Sequence, residues 1–73
     1  MLKKYLSIET YETLEQVKMK IKREAGTINL KVFDPPYKLS GNKKVLTLYY
    51  DIHSWIKIDG PGFMIDELVK FFT

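Results

Sequence analysis

Apolar residues alternate with polar ones in four short segments of the chain, at the spacing typical of β-strands. The segments are residues 3–9, 28–33, 45–50 and 55–58. We expect Asp34-Pro35-Pro36 to end the second strand, because proline cannot donate a ladder hydrogen bond, and residues 37–44 to form a loop. The side chains expected to face the interior are Leu6, Ile8, Ile28, Leu30, Val32, Leu46, Leu48, Tyr50, Ile56 and Ile58.

Two further segments have the spacing of helices. Thr13 and Gln16 form a capping-box pattern, and Gly26 is a suitable C-terminal stop, so residues 14–25 are predicted to be helical. Asp59-Gly60-Pro61-Gly62 predicts a turn, and residues 63–73 carry a broad apolar stripe that predicts a second helix.

The element order is therefore β-α-β-β-β-α, in one domain that spans residues 1–73. Two helices and four strands of this length predict an α+β fold. We expect a two-layer sandwich, with both helices on one face of a four-stranded mixed or antiparallel sheet.

The strand positions that point away from this core are unusually apolar. Five of these eight positions carry large apolar or aromatic groups, whereas the solvent side of a sheet is normally polar. This prediction depends on register, because a one-residue slip exchanges the two faces. The eight positions are Tyr5, Lys31, Phe33, Val45, Thr47, Tyr49, Trp55 and Lys57.

Composition removes several classes of function. The 73 residues include no cysteine, which excludes disulfides, zinc ribbons, iron–sulfur ligation and thiol catalysis. A single histidine excludes a histidine-rich metal site. Composition alone permits a carboxylate-only magnesium site, but the acidic residues are scattered along the chain, so we expect no metal and no cofactor. The N-terminus lacks the apolar segment of a signal peptide, and no apolar run approaches membrane-spanning length, so a cytoplasmic location is expected.

Candidate chemistry is sparse. Asp51, His53 and Ser54 are the residue types of a catalytic triad, but triad members converge from separate elements, and a polar turn explains this cluster better. Gly60-Pro61-Gly62 precedes a helix but lacks a full phosphate-binding fingerprint, so a turn is the better interpretation. We therefore expect no catalytic residue and no enzyme activity.

A basic loop offers an alternative function. Lys38, Lys43 and Lys44 lie in a loop without acidic residues, beside strands that carry Phe33 and Trp55. Single-strand binders combine mobile lysines, which contact phosphates, with aromatic rings that stack on bases. The arrangement resembles RNA-recognition motifs in architecture only, since their order is βαββαβ and their sequence signature is missing here.

The C-terminal segment has a second short resemblance. Leu68, Phe71 and Phe72 are similar to the tail of the peptide motif that binds sliding DNA clamps, although the leading glutamine of that motif would fall at Ile65. Packing of the last helix on the sheet explains these apolar residues better, because a small domain needs them for its core.

The sequence therefore predicts a small non-enzymatic module that acts as a regulator or inhibitor. It would bind a partner protein through its open aromatic sheet face or an exposed strand edge, or a second copy of itself through the same face. Lysines 31 and 57 and the basic loop would attract an acidic partner. Single-stranded DNA or RNA binding through the same face is the alternative. The small size and the wealth of Lys, Ile, Tyr and Asn suit a phage or plasmid accessory protein. The expected contact residues are Tyr5, Lys31, Phe33, Tyr49, Trp55 and Lys57.

Overall fold

The computed structural model describes residues 2–73, which form a four-stranded mixed sheet and two α-helices. The predicted element order and the α+β class are confirmed. No helix within residues 2–73 is long and apolar enough to cross a membrane. The elements are β1 (Leu2–Ser7), α1 (Leu14–Ala25), β2 (Lys31–Lys38), β3 (Lys43–Asp51), β4 (Ser54–Pro61) and α2 (Gly62–Phe72).

The strands lie in the order β1-β4-β3-β2, so β1 and β2 are the two edges. β1 runs parallel to β4, whereas β4 pairs with β3 and β3 with β2 in antiparallel hairpins. The first connection thus crosses the sheet from one edge strand to the other through α1. The later hairpins then place β4 beside β1.

One buried cluster contains side chains of both helices and of alternate strand positions. Leu46 and Leu48 on β3 and Ile56 and Ile58 on β4 are fully buried in it, as the alternation predicted. Whether both helices lie on one face of the sheet stays a prediction. The helical members of the cluster are Val17, Ile21, Ala25, Met64, Ile65 and Leu68.

Helix α1 begins and ends where its local signals predicted. The Thr13 hydroxyl accepts a hydrogen bond from the Gln16 amide, and the Gln16 side chain accepts one from the Thr13 amide. Gly26 then adopts a left-handed conformation with φ of 79° and donates its amide to Lys22. A residue with a Cβ is disfavoured there, which explains the glycine.

The prediction for β2 was wrong at both ends. The strand begins at Lys31, so Ile28 lies outside it and is exposed instead of facing the interior. It also continues through Pro35 and Pro36 to Lys38, with register shifts on both sides of Asp34. Proline is tolerated here because β2 is an edge strand. On the outer side of an edge strand, the N–H that proline lacks would have no ladder partner.

The predicted turn at residues 59–62 was also wrong, because β4 continues to Pro61 and α2 starts at Gly62. Gly60 has a steric role in this arrangement. A Cβ at this position would lie 2.8 Å from the Ile8 Cβ and 3.2 Å from the Ile8 carbonyl oxygen. The absence of a side chain at Gly60 therefore lets the end of β1 pack closely against β4.

Two positions that lie on the outer face, as the alternation predicted, are nevertheless buried there. Val45 is only 3% exposed and Thr47 only 8% exposed. Val45 lies between Asp59 and Tyr37 on the neighbouring strands, and Thr47 pairs with Lys57. The longer side chains of Tyr37 and Lys57 lie beside Val45 and Thr47, respectively. Tyr50, expected to be interior, is instead exposed at the end of β3.

The last helix packs as predicted from its apolar stripe. Leu68 is fully buried and Phe72 packs against the core, while Phe71 is partly exposed and lies edge-on to Phe72. The Lys18 ammonium lies 3.9 Å from the centre of the Phe71 ring, a distance typical of a cation–π contact. Core packing therefore accounts for Leu68 and Phe72.

Candidate functional site

Four outward-facing side chains form a row across the whole sheet. In register, Lys3 on β1 lies beside Trp55 on β4, which pairs with Tyr49 on β3, which pairs with Lys31 on β2. Two aromatic rings thus lie at the centre, with a lysine at each end. Directly opposed residues share a face of the sheet, so all four side chains point the same way.

Tyr5 and Phe33 extend this row into a larger surface, which we call the aromatic face: Tyr5, Phe33, Tyr49 and Trp55. Phe33 meets Tyr49 edge-on, with ring centres 5.5 Å apart. This geometry is favoured by the ring quadrupoles and holds Phe33 in place although 60% of it remains exposed. The Lys57 ammonium lies 5.6 Å from the centre of the Trp55 ring, within cation–π range.

Two neighbouring depressions open on this face, and Phe33 and Trp55 line both. The first has a volume of about 280 Å³ and is also lined by Asp34, Tyr37, Thr47 and Lys57. The second has a volume of about 330 Å³ and is also lined by Tyr49, Asp51 and Ile52. Each is large enough to accept one large apolar side chain, and each has a carboxylate at its wall.

Tyr5 is held at the β1 side of the face by a hydrogen bond. Its hydroxyl donates to the Asp59 carboxylate with an oxygen–oxygen distance of 2.5 Å. This hydrogen bond, with smaller effects of burial and of the Asp59 charge, raises the pKa of the Tyr5 hydroxyl above its ordinary value of 10.0. The ring remains 60% exposed, so its position is fixed while its surface stays accessible.

The charges on this side of the sheet are mixed. Lys3, Lys31 and Lys57 share it with Asp34 and Asp59, as the cross-strand register shows. The aspartates lie among the aromatic rings and at the walls of the depressions, where a phosphate group would be repelled. The lysines at the two ends of the aromatic row instead form a polar rim.

The prediction of a basic loop over residues 37–44 was wrong, because Lys38 lies at the end of β2 and Lys43 and Lys44 lie at the start of β3. The three lysines are not gathered on the aromatic face. Lys44 forms an ion pair of 2.9 Å with Asp66 on α2. Lys38 pairs with Lys44 across the β2–β3 hairpin, and both line a different depression beside Phe63. Lys43 pairs with Pro61 and is exposed.

The Asp51–Ser54 segment forms a turn, as the sequence indicated. The Asp51 carboxylate accepts a hydrogen bond of 2.7 Å from the His53 backbone amide, and Ser54 is buried at the start of β4. The Asp51 side chain therefore fixes the β3–β4 turn, and aspartate commonly bonds a backbone amide two residues on in this way. Within residues 2–73, no three histidine or acidic side chains lie close enough together to hold a metal ion.

The structure adds residues to the face that sequence reasoning missed. Ile52 is 88% exposed and lines the second depression, and Tyr37 lines the first. An isoleucine in an otherwise polar turn was the available signal for Ile52. Tyr37 could not be found in this way because Pro35 and Pro36 predict that the strand ends before it. Lys3 was missed because its cross-strand partner could not be derived without the strand order.

A separate polar cluster lies at the start of α1. Glu12 is buried, accepts a 2.7 Å hydrogen bond from the Glu9 amide and forms an ion pair with Lys20. Burial is the largest single influence and raises the pKa of Glu12, but the hydrogen bonds from Lys20 and Glu9 and the Lys20 charge together lower it below its ordinary value. This cluster fixes the connection between β1 and α1.

Comparison of the chain with protein-family models, with curated proteins and with solved structures found no match.

Proposed function

We propose that this protein is a small, non-enzymatic regulatory or inhibitory module that binds a partner protein through the aromatic face. The observation that carries the proposal is the pair of depressions that share Phe33 and Trp55. Aromatic residues in partly enclosed positions are typical anchors of protein interfaces, where a few such residues supply most of the binding energy.

The partner that fits has two large aliphatic or aromatic side chains, spaced to enter the two depressions. Its rim carries both acidic groups, opposite Lys3 and Lys31, and a basic or amide group, opposite Asp34 or Asp51. This mixed polar rim around an apolar centre is the usual anatomy of a protein interface. Charge at the rim sets the orientation and rate of association more than the affinity.

Single-stranded nucleic acid is the alternative ligand, and the row from Lys3 to Lys31 is the feature that favours it. Two stacked bases could lie on Trp55 and Tyr49, with phosphates at the lysines. The carboxylates within the face and the withdrawal of Lys44 to Asp66 weigh against it. We therefore favour a partner protein over nucleic acid as the ligand of the aromatic face.

The experiment is a selection of displayed small helical domains on the immobilised wild-type protein, followed by binding measurements on two variants. Phe33→Ala removes a ring shared by both depressions. Phe63→Ala is the matched control, because Phe63 is equally exposed, at 59% against 60%, but lies on α2. We expect Phe33→Ala to weaken the selected binders at least tenfold, a loss of about 1.4 kcal/mol, and Phe63→Ala to leave them unchanged.

The proposal would be contradicted if both variants weakened the selected binders equally. It would also be contradicted if neither variant changed their affinity. A labelled oligo-dT is tested in parallel. Tight binding of oligo-dT, with log affinity that falls linearly with log salt, would replace the proposal by the nucleic-acid alternative.

A further inference from the structure

The two edges of the sheet differ in how they are protected from further pairing. β2 carries Pro35 and Pro36 and two register shifts, which are the usual devices that prevent an edge from accepting another strand. β1 has neither in its six residues, and its pairing with β4 is unbroken. Its charged residues are Lys3 and Lys4, at one end of the strand. The regular backbone of this edge is a template for strand addition.

The outward backbone groups of β1 can be identified from its pairing with β4. The Ile8 amide donates to the Asp59 carbonyl at 2.8 Å. Backbone groups alternate in direction along a strand, so the even-numbered residues of β1 direct theirs toward β4. Lys3, Tyr5 and Ser7 therefore direct their amides and carbonyls to the open edge, and their side chains are exposed as well.

We propose that a second copy of this chain pairs with β1, antiparallel and about a two-fold axis at Tyr5. In this register Tyr5 lies opposite Tyr5 of the second copy, and Lys3 lies opposite Ser7. All three outward amides of each copy then find a carbonyl, which gives six backbone hydrogen bonds. An isologous contact of this kind is the commonest route to a dimer.

Lys4 disfavours one of the neighbouring two-fold registers. A shift of the axis to Lys4 would set the two Lys4 side chains about 4.5 Å apart at a non-hydrogen-bonded site, where like charges repel. The proposed register sets Lys4 opposite Leu6 instead. A one-residue shift would join the aromatic face of one copy to the core side of the other.

The dimer leaves the aromatic face open and doubles it. The two sheets join into one of eight strands, with both aromatic faces on the same side. The contact uses the backbone edge of β1, whereas the proposed function depends on the depressions that share Phe33 and Trp55. Tyr5 and Lys3 border both surfaces, but either inference can fail alone.

Single cysteines test the register directly, since the chain has none of its own. Across the axis, the two Tyr5 Cα atoms would be about 5.5 Å apart, within the range that a disulfide can bridge. Tyr5→Cys is therefore expected to form a covalent dimer rapidly on mild oxidation. In Lys3→Cys or Ser7→Cys alone, the two cysteines would be four residues, or about 13 Å, out of register and should not link.

A mixture of Lys3→Cys and Ser7→Cys proteins should form the mixed disulfide, because these positions face each other. Equal cross-linking of all single variants, or none with Tyr5→Cys and in the mixture, would overturn the proposal. Analytical ultracentrifugation of the unmodified protein gives a second test. Sedimentation as a monomer at every concentration up to the millimolar range would also overturn it.

Ser7→Pro removes one outward amide per copy, two of the six hydrogen bonds, and leaves the β4 side of β1 intact. We expect it to raise the dimer Kd about tenfold or more. Ser7→Ala keeps the amide and should leave Kd unchanged. Phe33→Ala should also leave it unchanged, whereas dissociation of the dimer by Phe33→Ala would mean that the copies associate through the aromatic face and would refute the edge contact.

Discussion

Replacing Lys20 by methionine removes the ammonium that faces the buried Glu12 carboxylate but keeps most of the apolar stem. The Glu12 side chain is only 6% exposed and retains one hydrogen bond, from the Glu9 amide, after the change. Breaking a fully buried ion pair costs about 3–5 kcal/mol. Because the Lys20 side chain is 33% exposed, water takes over part of its role, and we expect a loss of about 1–2 kcal/mol.

The loss should be visible as a lower melting temperature. With an unfolding entropy of about 2.1 cal/mol/K per residue, the 73 residues give about 0.15 kcal/mol/K. A loss of about 1–2 kcal/mol then corresponds to a shift of about 7–13 °C. Urea unfolding followed by Trp55 fluorescence measures the free energy itself, and thermal unfolding by circular dichroism measures the shift.

A double-mutant cycle separates the ion pair from other effects of the two substitutions. Glu12→Gln keeps the shape and an acceptor for the Glu9 amide but removes the charge. If the charges interact as described, Lys20→Met should cost much less in the Glu12→Gln background than in the wild type. A cost that is the same in both backgrounds would refute the reasoning.

The pH dependence of stability tests the role of the Glu12 charge independently. The pKa of Glu12 is lower in the folded state than its ordinary value of 4.5, so folding favours the ionised form. Its contribution to stability is present above that ordinary value and is lost as the pH falls through the lowered pKa of the folded state. Glu12→Gln should flatten the stability profile in this acidic window. At neutral pH it should lower the free energy of unfolding without changing the slope of the profile.

Three further predictions concern other parts of the fold. Gly60→Ala should destabilise the protein by about 1–3 kcal/mol, because its Cβ would overlap Ile8; an unchanged urea midpoint would contradict this. Thr13→Ala removes the helix cap and should cost about 1 kcal/mol, restored largely by Thr13→Ser. In an absorbance titration, the pKa of the Tyr5 hydroxyl should lie above its ordinary value of 10.0, and Asp59→Asn should lower it, because the hydrogen bond to the carboxylate raises it. The stabilisation from this hydrogen bond is present below pH 10 and is lost as the pH rises through the raised pKa.

Local signals predicted α1 correctly because a capping box and a terminal glycine act within a few residues of one another. Strand alternation also predicted that Tyr49 and Trp55 share the outer face, and in the structure they pair as neighbours across a short hairpin. The limits of β2 could not be predicted in this way. Pro35 and Pro36 end a central strand but not an edge strand, and edge position depends on the strand order of the whole sheet.

The burial of outer-face residues could not be predicted either, because it depends on the side chains of the neighbouring strands. Val45 and Thr47 alternate like exposed residues, but the longer side chains of Tyr37 on β2 and Lys57 on β4 lie beside them. The candidate site shows the same division. Phe33, Tyr49 and Trp55 were found from the alternation, whereas the two depressions between them depend on Tyr37 and Ile52, which only tertiary structure brings to the face.

The most direct test of the aromatic face is the fluorescence of Trp55, the single tryptophan of the chain, during titration with a selected binding domain at low and high salt. The proposed function predicts a saturable blue shift of the emission, because the partner covers the partly exposed ring. The affinity should change little with salt. Saturable binding that leaves the emission of Trp55 unchanged would contradict it, because the partner would then bind elsewhere on the protein.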